Sequence, residues 1–318
     1  MTDPAETKSL ALHLAGELGF VRAGVAEAGR SPRAGRFRRF LELGYHAHMT
    51  YLARAPEART DPGSLLPGAA SVICLAASYA PLDDDGASGH VARYARGRDY
   101  HRLLRGRCRK LLAELTAAEP ALRGRVCVDT APILERDLAA AAGLGWIGRN
   151  GCLIDRRHGS YLLLAEIIIN VPLEPDAPQP SRCGSCRACI DACPTRAIGP
   201  DGLVDSRRCV SYLTIEHRGE IPPELRRGCG GWVFGCDVCQ QVCPHNRPGR
   251  LPPGDVELLG PSELAQATPA EVLKWTQGDW DRLTRGSAAR RASWEMFLRN
   301  ASVAAGNAAD PPAPGQGV

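Results

Sequence analysis

The sequence has no uninterrupted apolar run long enough to span a membrane. The longest run, residues 162–169, is broken by Glu166 and is far shorter than the roughly 20 residues that a membrane helix needs. The first eight residues include acidic side chains and lack the basic and apolar segments of a secretory signal, and no twin arginine is found there. We therefore expect a cytoplasmic protein without membrane contact, in which residues 162–169 form a buried strand.

A dinucleotide-binding glycine loop and a solenoid repeat are also missing. Gly143, Gly145 and Gly148 follow a predicted helix, which indicates a tight helix-to-strand connection and not the strand-to-helix loop of G-x-G-x-x-G. Aromatic residues make up only 5% of the chain, but the hydrophobic fraction of 44% and the charged fraction of 23% are those of a globular protein. At 318 residues, the chain has room for more than one domain.

The thirteen cysteines indicate metal binding and not a disulfide framework. Seven of them fall into two short runs with C-x-x-C spacing, and no export signal directs the chain to an oxidising compartment. Four others lie in apolar surroundings and are predicted to be small buried side chains: Cys74, Cys108, Cys127 and Cys152.

The first cysteine run, CGSCRACIDACP, has the C-x2-C-x2-C-x3-C-P spacing of bacterial ferredoxins. In that motif three thiolates, here Cys183, Cys186 and Cys189, hold one [4Fe-4S] cluster, and the fourth, Cys193, binds the other. A zinc site is the alternative, but four cysteines so close together and ending in proline do not have the paired spacing of zinc ribbons. The run therefore predicts two iron–sulfur clusters.

The second run, CDVCQQVCP, repeats the motif without its first cysteine. By the same exchange of ligands, Cys243 completes the first cluster, and Cys193, Cys236 and Cys239 hold three positions of the second. One ligand of the second cluster is then still missing.

Two cysteines are candidates for that missing ligand. Cys229 lies seven residues before Cys236 on a glycine-rich segment, and it could reach the cluster without strain. Cys209 is further away along the chain. Spacing alone does not choose between them.

The region before the cysteine runs has the pattern of an α+β domain that is α/β-like. Helical patterns over residues 7–18 and 102–118 alternate with strand patterns over residues 71–78 and 161–171. A proline-rich segment then marks a boundary. The predicted parts are a first domain over residues 1–178, a ferredoxin-like two-cluster domain over residues 179–250, a short helical region over residues 251–307 and a disordered tail over residues 308–318.

Asp129 occupies a distinctive position in the segment VDTAPILERD. It follows a strand-like run at residues 126–128, and Pro132 fits the first turn of a following helix. A carboxylate placed there could simply cap that helix, or it could take part in chemistry.

Basic side chains are concentrated in residues 91–110, which hold seven arginines and one lysine against a single acid, Asp99. A second basic run spans residues 33–39. Such a pattern is typical of a solvated helix face, or of a surface that binds a polyanion such as RNA.

Several segments taken together resemble the epoxyqueuosine reductases, the iron–sulfur and cobalamin enzymes of queuosine synthesis in tRNA. They occur in order over roughly residues 7–307. The segments are YLARAPEARTDPGSLLPGAASVI, RYARGRDYHRLL, VDTAPILERDLAAAAGLGWIGRNGCLI, HGSYLLLAEI, CGSCRACIDACPTRAI, CVSYLTIEHRG, FGCDVCQQVCPHN and LRNASVAAGN.

The resemblance implies that the epoxide of epoxyqueuosine at the tRNA wobble position is reduced to queuosine and water. Electrons would pass through two [4Fe-4S] clusters to a cobalamin bound by residues 1–178, in a nitroreductase-like fold. Asp129 matches the proton donor of the family, a role that calls for a raised pKa. Cys209 begins the family-like segment CVSYLTIEHRG and is favoured as the remaining cluster ligand.

The resemblance also implies the partners and the cofactor contacts. No D-x-H-x-x-G motif offers a histidine to cobalt, so a base-off cobalamin without a protein ligand is expected. RNA contacts are expected from the arginines of residues 93–109 and from residues 217–227, electrons from a small protein such as flavodoxin or ferredoxin, and a monomeric state. The side chains expected to line cobalamin are Arg59, Tyr94, Asp129, Leu153, Ser160, Ser211, Gly235, Cys236 and Asp237.

The chain departs from the family pattern in two places. Extra glycines and Cys229 precede the second cysteine run, and residues 251–307 are too short for an extended helical repeat array. Two rival functions remain: a cobalamin-dependent reductive dehalogenase, which usually carries a twin-arginine signal, and an electron carrier that would not need Asp129.

Overall fold

The computed structural model describes residues 3–81, 90–247, 249–259 and 263–309. Its strands are β1 (Arg22–Glu27), β2 (Ser71–Ser78), β3 (Gly124–Cys127), β4 (Trp146–Ile147), β5 (Leu153–Ile154) and β6 (Leu162–Ile169). Its helices are α1 (Pro4–Glu17), α2 (Ala34–Glu42), α3 (Pro56–Arg59), α4 (Tyr100–Ala118), α5 (Glu135–Ala141), α6 (Ala188–Asp191), α7 (Val210–Ile215), α8 (Pro223–Arg226), α9 (Val238–Gln241), α10 (Val256–Leu259), α11 (Glu263–Gln266), α12 (Pro269–Val272), α13 (Gln277–Thr284) and α14 (Trp294–Ala309).

The main sheet has the strand order β1-β2-β6-β3, and every neighbouring pair is antiparallel. The strand predicted at residues 71–78 coincides with β2, and the one predicted at residues 161–171 contains β6. All eight residues of β2 are buried, because helices cover both faces of the sheet. The mixed α and β architecture predicted from the sequence is thus confirmed.

Helices α1 and α4 pack on one face of the sheet, and α5 packs on the other. The patterns predicted at residues 7–18 and 102–118 correspond to α1 and α4. Asp99 caps α4, since its side chain accepts a hydrogen bond from the His101 amide. Gly24 of β1 allows α5 to lie close, because a Cβ there would stand 2.2 Å from the Ala142 carbonyl oxygen.

The three predicted parts of the chain share one apolar core. Its buried side chains come from the sheet, from the cysteine region at Phe234 and from α14 at Phe297, and these two rings stack with centroids 5.8 Å apart. A buried polar network also joins the sheet to the cysteine region: Ser160 donates to Gln240, and Asn246 donates to Ser160. The cysteine region is therefore fixed against the first domain.

Residues 170–187, which include the predicted proline-rich boundary, run without helix or strand. Among the described residues, no helix is both long enough and apolar enough to cross a lipid bilayer. Helix α14 continues to Ala309, so the first two residues of the predicted tail are helical, and residues 310–318 lie outside the described residues.

Candidate active site and cluster sites

Asp129 lies on a tight turn between β3 and α5. Its φ of 56° is in the left-handed region, which residues other than glycine seldom adopt. Helix α5 begins only at Glu135, with Leu134 at its N-cap position, so Asp129 is not a helix cap and Pro132 precedes the first turn. Both of those expectations were wrong, because the chain makes an extra turn before the helix. The Asp129 carboxylate instead faces His101, and 50% of its side chain is exposed.

His101 joins two carboxylates at the start of α4. Its Nδ1 lies 2.7 Å from Asp99 Oδ1, and its Nε2 lies 3.1 Å from Asp129 Oδ2. The Tyr100 ring stacks on the imidazole with centroids 4.0 Å apart. Since α4 is anchored on the sheet, its first turn holds the imidazole against the Asp129 turn.

The charges of this group place a proton on His101. Burial lowers the pKa of His101, but the hydrogen bonds with Asp129 and Asp99 outweigh it and raise that pKa to about 9. The hydrogen bond from His101 lowers the pKa of Asp129 against a smaller effect of burial. The shift is opposite to the raised pKa expected for Asp129, since the sequence did not show that a histidine faces it. Near neutral pH the pair is therefore imidazolium and carboxylate.

An open cleft of about 470 Å³ lies beside this group. Glu135 lines the cleft and also accepts a hydrogen bond from the Asp129 amide. Asn150 lines both this cleft and the cavity of the first cysteine group, so the two spaces are neighbours. Other lining residues are Arg33, Phe37, Phe40, Leu52, Arg59, Ile133 and Ser206.

The cleft has the chemical character that a large corrin ring requires. Its walls combine apolar side chains with arginines, and the Arg59 Nε is buried without a hydrogen-bond partner among the described residues. A buried donor of this kind suits an acceptor on a bound cofactor. Cobalamin is thus compatible with the cleft.

The residues predicted to line cobalamin are only partly brought together. Arg59 alone lines the cleft, while Tyr94 packs on Tyr100, the neighbour of His101. Asp129 lies on its turn outside the cleft lining, and the remaining residues lie in or near the cysteine region or within the core. Their contacts with cobalamin stay a prediction. Buried from solvent are Leu153, Ser160, Gly235 and Asp237; partly accessible are Ser211 and Cys236.

The first four predicted cluster ligands lie together. A cavity of about 170 Å³ is lined by Cys183, Cys186, Cys189 and Cys243, which come from both cysteine runs. Within the described ranges, no group of three or more His, Cys, Asp or Glu side chains is arranged to bind a single metal ion. A cubane needs no such convergence, because each corner iron binds one thiolate. The cavity therefore fits a [4Fe-4S] cluster.

The cysteines predicted for the second cluster form a neighbouring group. Burial raises the pKa of Cys209, and the nearby Cys193 thiol adds to the shift. Cys209 and Cys193 act in the same way on Cys236. Cys239 packs in the same apolar group as Cys193 and Cys209.

Cys229 has a different environment. Burial raises its pKa to about 11, and the charged group that acts on it is Arg299, not a cysteine. It packs in the apolar cluster of the α7 and α8 region, against which Cys209 and Cys236 also pack. Four cysteines were predicted to be small buried side chains. Of these, Cys74, Cys108 and Cys127 are buried, and Cys152 is partly buried.

A group of aromatic and basic side chains surrounds the Asp129 carboxylate. Tyr51, 39% exposed, has the guanidinium groups of Arg59 and Arg291 each 6.0 Å from its ring centroid. Arg291 pairs with Glu216 at 2.7 Å and helps to lower the pKa of Asp129. The sequence offered no signal for this group, because its members are more than 200 residues apart at the extremes.

The basic run of residues 91–110 separates into bound and outward-facing arginines. Arg93 is buried against Asp237, and both Arg98 and Arg107 pair with Glu257. On α4, the positions opposite the buried Leu104 and Leu111 form a stripe of i, i+3 and i+7 positions: Arg102, Arg105 and Arg109. Arg102 has 85% of its side chain exposed.

Comparison with known proteins shows which family the chain resembles. A family model described as "4Fe-4S double cluster binding domain" matches residues 182–246, and one described as "Epoxyqueuosine reductase QueG, DUF1730" matches residues 59–130. An epoxyqueuosine reductase of Pseudomonas aeruginosa is 42% identical over 315 residues, which cover 96% of this chain and 87% of the relative. One of Escherichia coli K12 is 40% identical, with 97% and 84% covered.

Solved structures show the same fold. An epoxyqueuosine reductase with an epoxyqueuosine-modified tRNA-Tyr stem loop superposes with a TM-score of 0.88 at 30% identity, covering 95% of this chain and 81% of that one. A catabolic reductive dehalogenase gives a TM-score of 0.52 at 14% identity, covering 97% of this chain and 37% of that one. The second likeness extends to the fold alone.

Proposed function

Because the chain belongs to the epoxyqueuosine reductase family, we propose that it reduces the epoxide of epoxyqueuosine at the tRNA wobble position to queuosine. The overall change breaks both C–O bonds of the epoxide, forms a C=C bond and releases water, so it consumes two electrons and two protons. The observation that carries the proposal is the Asp129 carboxylate, which is held by His101. The Asp129 amide donates to Glu135, and Glu135 lines a cleft that adjoins the cluster cysteines.

The Asp129–His101 pair handles protons. The proton between His101 Nε2 and Asp129 Oδ2 is the one available to the epoxide oxygen as its C–O bond breaks. Asp129 is exposed enough to reach a substrate, whereas His101 lies behind it and returns a proton to the carboxylate after transfer. Asp99, bonded to the other imidazole nitrogen, keeps the ring oriented and favours its charged form.

Cobalamin is the proposed cofactor of the cleft, where it would supply low-valent cobalt as the reductant. Arg59 is the side chain best placed to hold it, since its buried Nε has no hydrogen-bond partner among the described residues. The apolar lining at Phe37, Phe40 and Ile133 would keep water away from a bound corrin.

The double-cluster domain is proposed to supply electrons one at a time. Cys183, Cys186, Cys189 and Cys243 hold the first cluster, and Cys193, Cys209, Cys236 and Cys239 hold the second. Cys186 is the exposed member of the first group, so a small reductant protein such as flavodoxin or ferredoxin would dock there. Arginines near that cavity would attract the acidic surface of such a partner.

A single-turnover assay tests the function. The chain is reconstituted anaerobically with iron, sulfide and cobalamin, reduced, and mixed with a stem loop that carries epoxyqueuosine. Mass spectrometry of the nucleoside should show loss of one oxygen atom, and the visible spectrum should show both cofactors. Reduction of a halogenated phenol without reduction of the stem loop would favour the dehalogenase rival, and cluster spectra without cobalamin binding would favour a plain electron carrier.

The tRNA is proposed to lie along α4 and over the Tyr51 group. An exposed aromatic ring flanked by two guanidinium groups suits stacking with a nucleobase. The outward arginine stripe of α4 suits phosphate contacts. It begins in the first turn of the helix, next to His101, so a bound RNA backbone would pass close to the active site. Residues 217–227, also predicted to contact RNA, include arginines bonded within the protein, among them Arg226.

Replacing Arg102 and Arg105 together with glutamine should weaken stem-loop binding and flatten its dependence on salt. Each lost phosphate contact reduces the slope of log affinity against log salt by roughly 0.7 to 0.9. Fluorescence anisotropy over a series of salt concentrations measures the slope. Arg98→Gln is the matched control, since that arginine pairs with Glu257 and should contribute less. An unchanged slope in the double variant would make the stripe a solvated helix face only.

The pH profile should report His101. Because its pKa is raised, the charged pair is fully formed below the ordinary histidine pKa of about 6.5 and is lost as pH rises through about 9. Turnover should therefore fall on the alkaline side near that value. His101→Gln should lower turnover and remove this limb, whereas His13→Gln, a surface control, should keep it. An identical alkaline limb in His101→Gln would assign the titration to another group.

A further inference from the structure

Glu166 is a buried carboxyl group that the proposed chemistry does not use. It lies in the middle of β6, between Cys74 of β2 and Cys127 of β3 in the sheet register. Its exposed fraction is 0%, and neither carboxyl oxygen has a hydrogen-bond partner among the described residues. An ionised carboxylate without a partner is strongly unfavourable in an apolar core, so this group is expected to carry a proton.

Glu135 provides the partner that a protonated Glu166 would need. The two carboxyl groups face each other closely enough for a hydrogen bond once one of them is protonated. If both groups were ionised, they would repel each other, and neither could donate a hydrogen bond. Glu166 would then have no hydrogen-bond partner. Glu135 also lines the cleft, so it connects the buried carboxyl group to the active site.

The Asp129 turn depends on Glu135. The Asp129 amide donates a hydrogen bond to Glu135 Oε1, and Asp129 is held in the left-handed region of φ. An aspartate keeps such a backbone conformation only where its surroundings stabilise it. Glu135 supplies that support on the backbone, as His101 does on the side chain.

We propose that Glu166 and Glu135 share one proton and act as positioning residues for Asp129. Glu166 donates the shared proton to one oxygen of Glu135, and the other oxygen of Glu135 receives the Asp129 amide. Orientation of the Asp129 carboxylate toward the cleft thus depends on a buried acid that never touches substrate. The inference rests on the proposed function, because it gives the pair a role at the same site.

The groups around the pair favour the shared proton. Burial, and then the charge of Asp129, raise the pKa of Glu135, while the hydrogen bond from the Asp129 amide, Arg136 and His101 oppose the rise. Burial, and then Glu135, raise the pKa of Glu166. A carboxyl pKa raised by folding means that the shared proton is held at neutral pH and that its stabilisation is lost as pH rises.

The thiols that face Glu166 do not supply a charge. Cys74 and Cys127 flank it within the sheet, and Cys108 approaches from α4 across the sheet. Burial, and then Glu166, raise the pKa of each of these thiols, so all three stay neutral.

Infrared difference spectroscopy tests the proton directly, without cofactors or substrate. The wild-type chain at neutral pH should show the C=O stretch of a protonated carboxylic acid, which shifts in deuterium oxide and disappears at alkaline pH. Glu166→Gln should lack this band. Cys74→Ala, which alters the same layer of the core without removing a carboxyl group, should keep it. Absence of the band from the wild-type chain at neutral pH would overturn the proposal.

Turnover of the reconstituted enzyme tests the positioning role. Glu166→Gln retains a donor for Glu135 and should keep near wild-type turnover, whereas Glu166→Leu removes the donor. The leucine variant should lose about ten- to a hundred-fold in kcat, as a displaced reacting group does, with KM for the stem loop unchanged. Wild-type kcat in a folded Glu166→Leu, or an equal loss in Glu166→Gln, would contradict it. If the wild-type chain does not reduce the stem loop at all, the proposed function fails, and the infrared result still decides whether the proton is shared.

Discussion

Replacing Asp129 with asparagine is expected to lower turnover by about 10²-fold or more, the usual scale of a lost general acid. Asparagine keeps the size of the side chain and can still face His101, but it cannot pass a proton from Nε2 to the substrate. The turn itself should survive, since asparagine tolerates the left-handed region. Single-turnover kinetics with the epoxyqueuosine stem loop measure the loss.

Cofactor content separates a catalytic defect from a folding defect. The Asp129→Asn variant should bind iron and cobalamin as the wild-type chain does, because Asp129 is not among the cysteine groups. Asp191→Asn is the matched control, as this exposed aspartate pairs only with Arg187 and should leave turnover unchanged. Wild-type turnover in Asp129→Asn would remove Asp129 from the proton path and leave His101 without a role.

The second large effect is expected for Cys209→Ser. With two [4Fe-4S] clusters the chain binds about eight irons, and loss of one cluster leaves about four. Cys209 acts electrostatically on both Cys193 and Cys236, so its thiolate is placed to complete their cluster. Iron analysis and electron paramagnetic resonance of the reduced protein measure the loss, which should also abolish turnover.

Cys229→Ser is the built-in control for that experiment. Both variants remove one thiol from the same region, but the charged group that acts on Cys229 is Arg299, whereas Cys209 and Cys193 act on each other and on Cys236. Its serine variant should keep all of the iron and nearly all of the activity. The reverse result, with iron lost in Cys229→Ser and kept in Cys209→Ser, would exchange the two assignments.

The central strands were predictable from the sequence because a strand that is buried on both faces is a nearly continuous run of apolar residues. The run at residues 71–78 consists almost entirely of apolar and small side chains, and it forms β2 with the predicted bounds. In contrast, β1 was not predicted, since its six residues include Gly24 and two charged ends and show no clear period. The helix after Asp129 was predicted to begin too early, because Pro132 suits a helix start and also suits the turn it occupies.

The active site was predictable only where a motif marks it. Asp129, His101 and the cysteines all stand in family-like segments. However, His101 is 28 residues from the carboxylate that it contacts, and the segment does not show that the two side chains meet. The Glu166 carboxyl group interrupts a strand pattern and could have been taken for an exposed position. Only the pairing of β6 between β2 and β3 shows that it is sealed in the core.

The strand order has a consequence for how the chain is made. Strand β2 pairs with β6 from Ser71 to Ile169, so its partner leaves the ribosome roughly a hundred residues later, or about 5 to 20 seconds at ordinary rates of synthesis. During that interval β2 can pair only with β1, and its other edge stays open, which is a state that chaperones bind and that aggregates when expression is fast. The first cysteine cavity is completed later still, by Cys243. Slow translation at low temperature should therefore raise the yield of soluble protein more than added iron does.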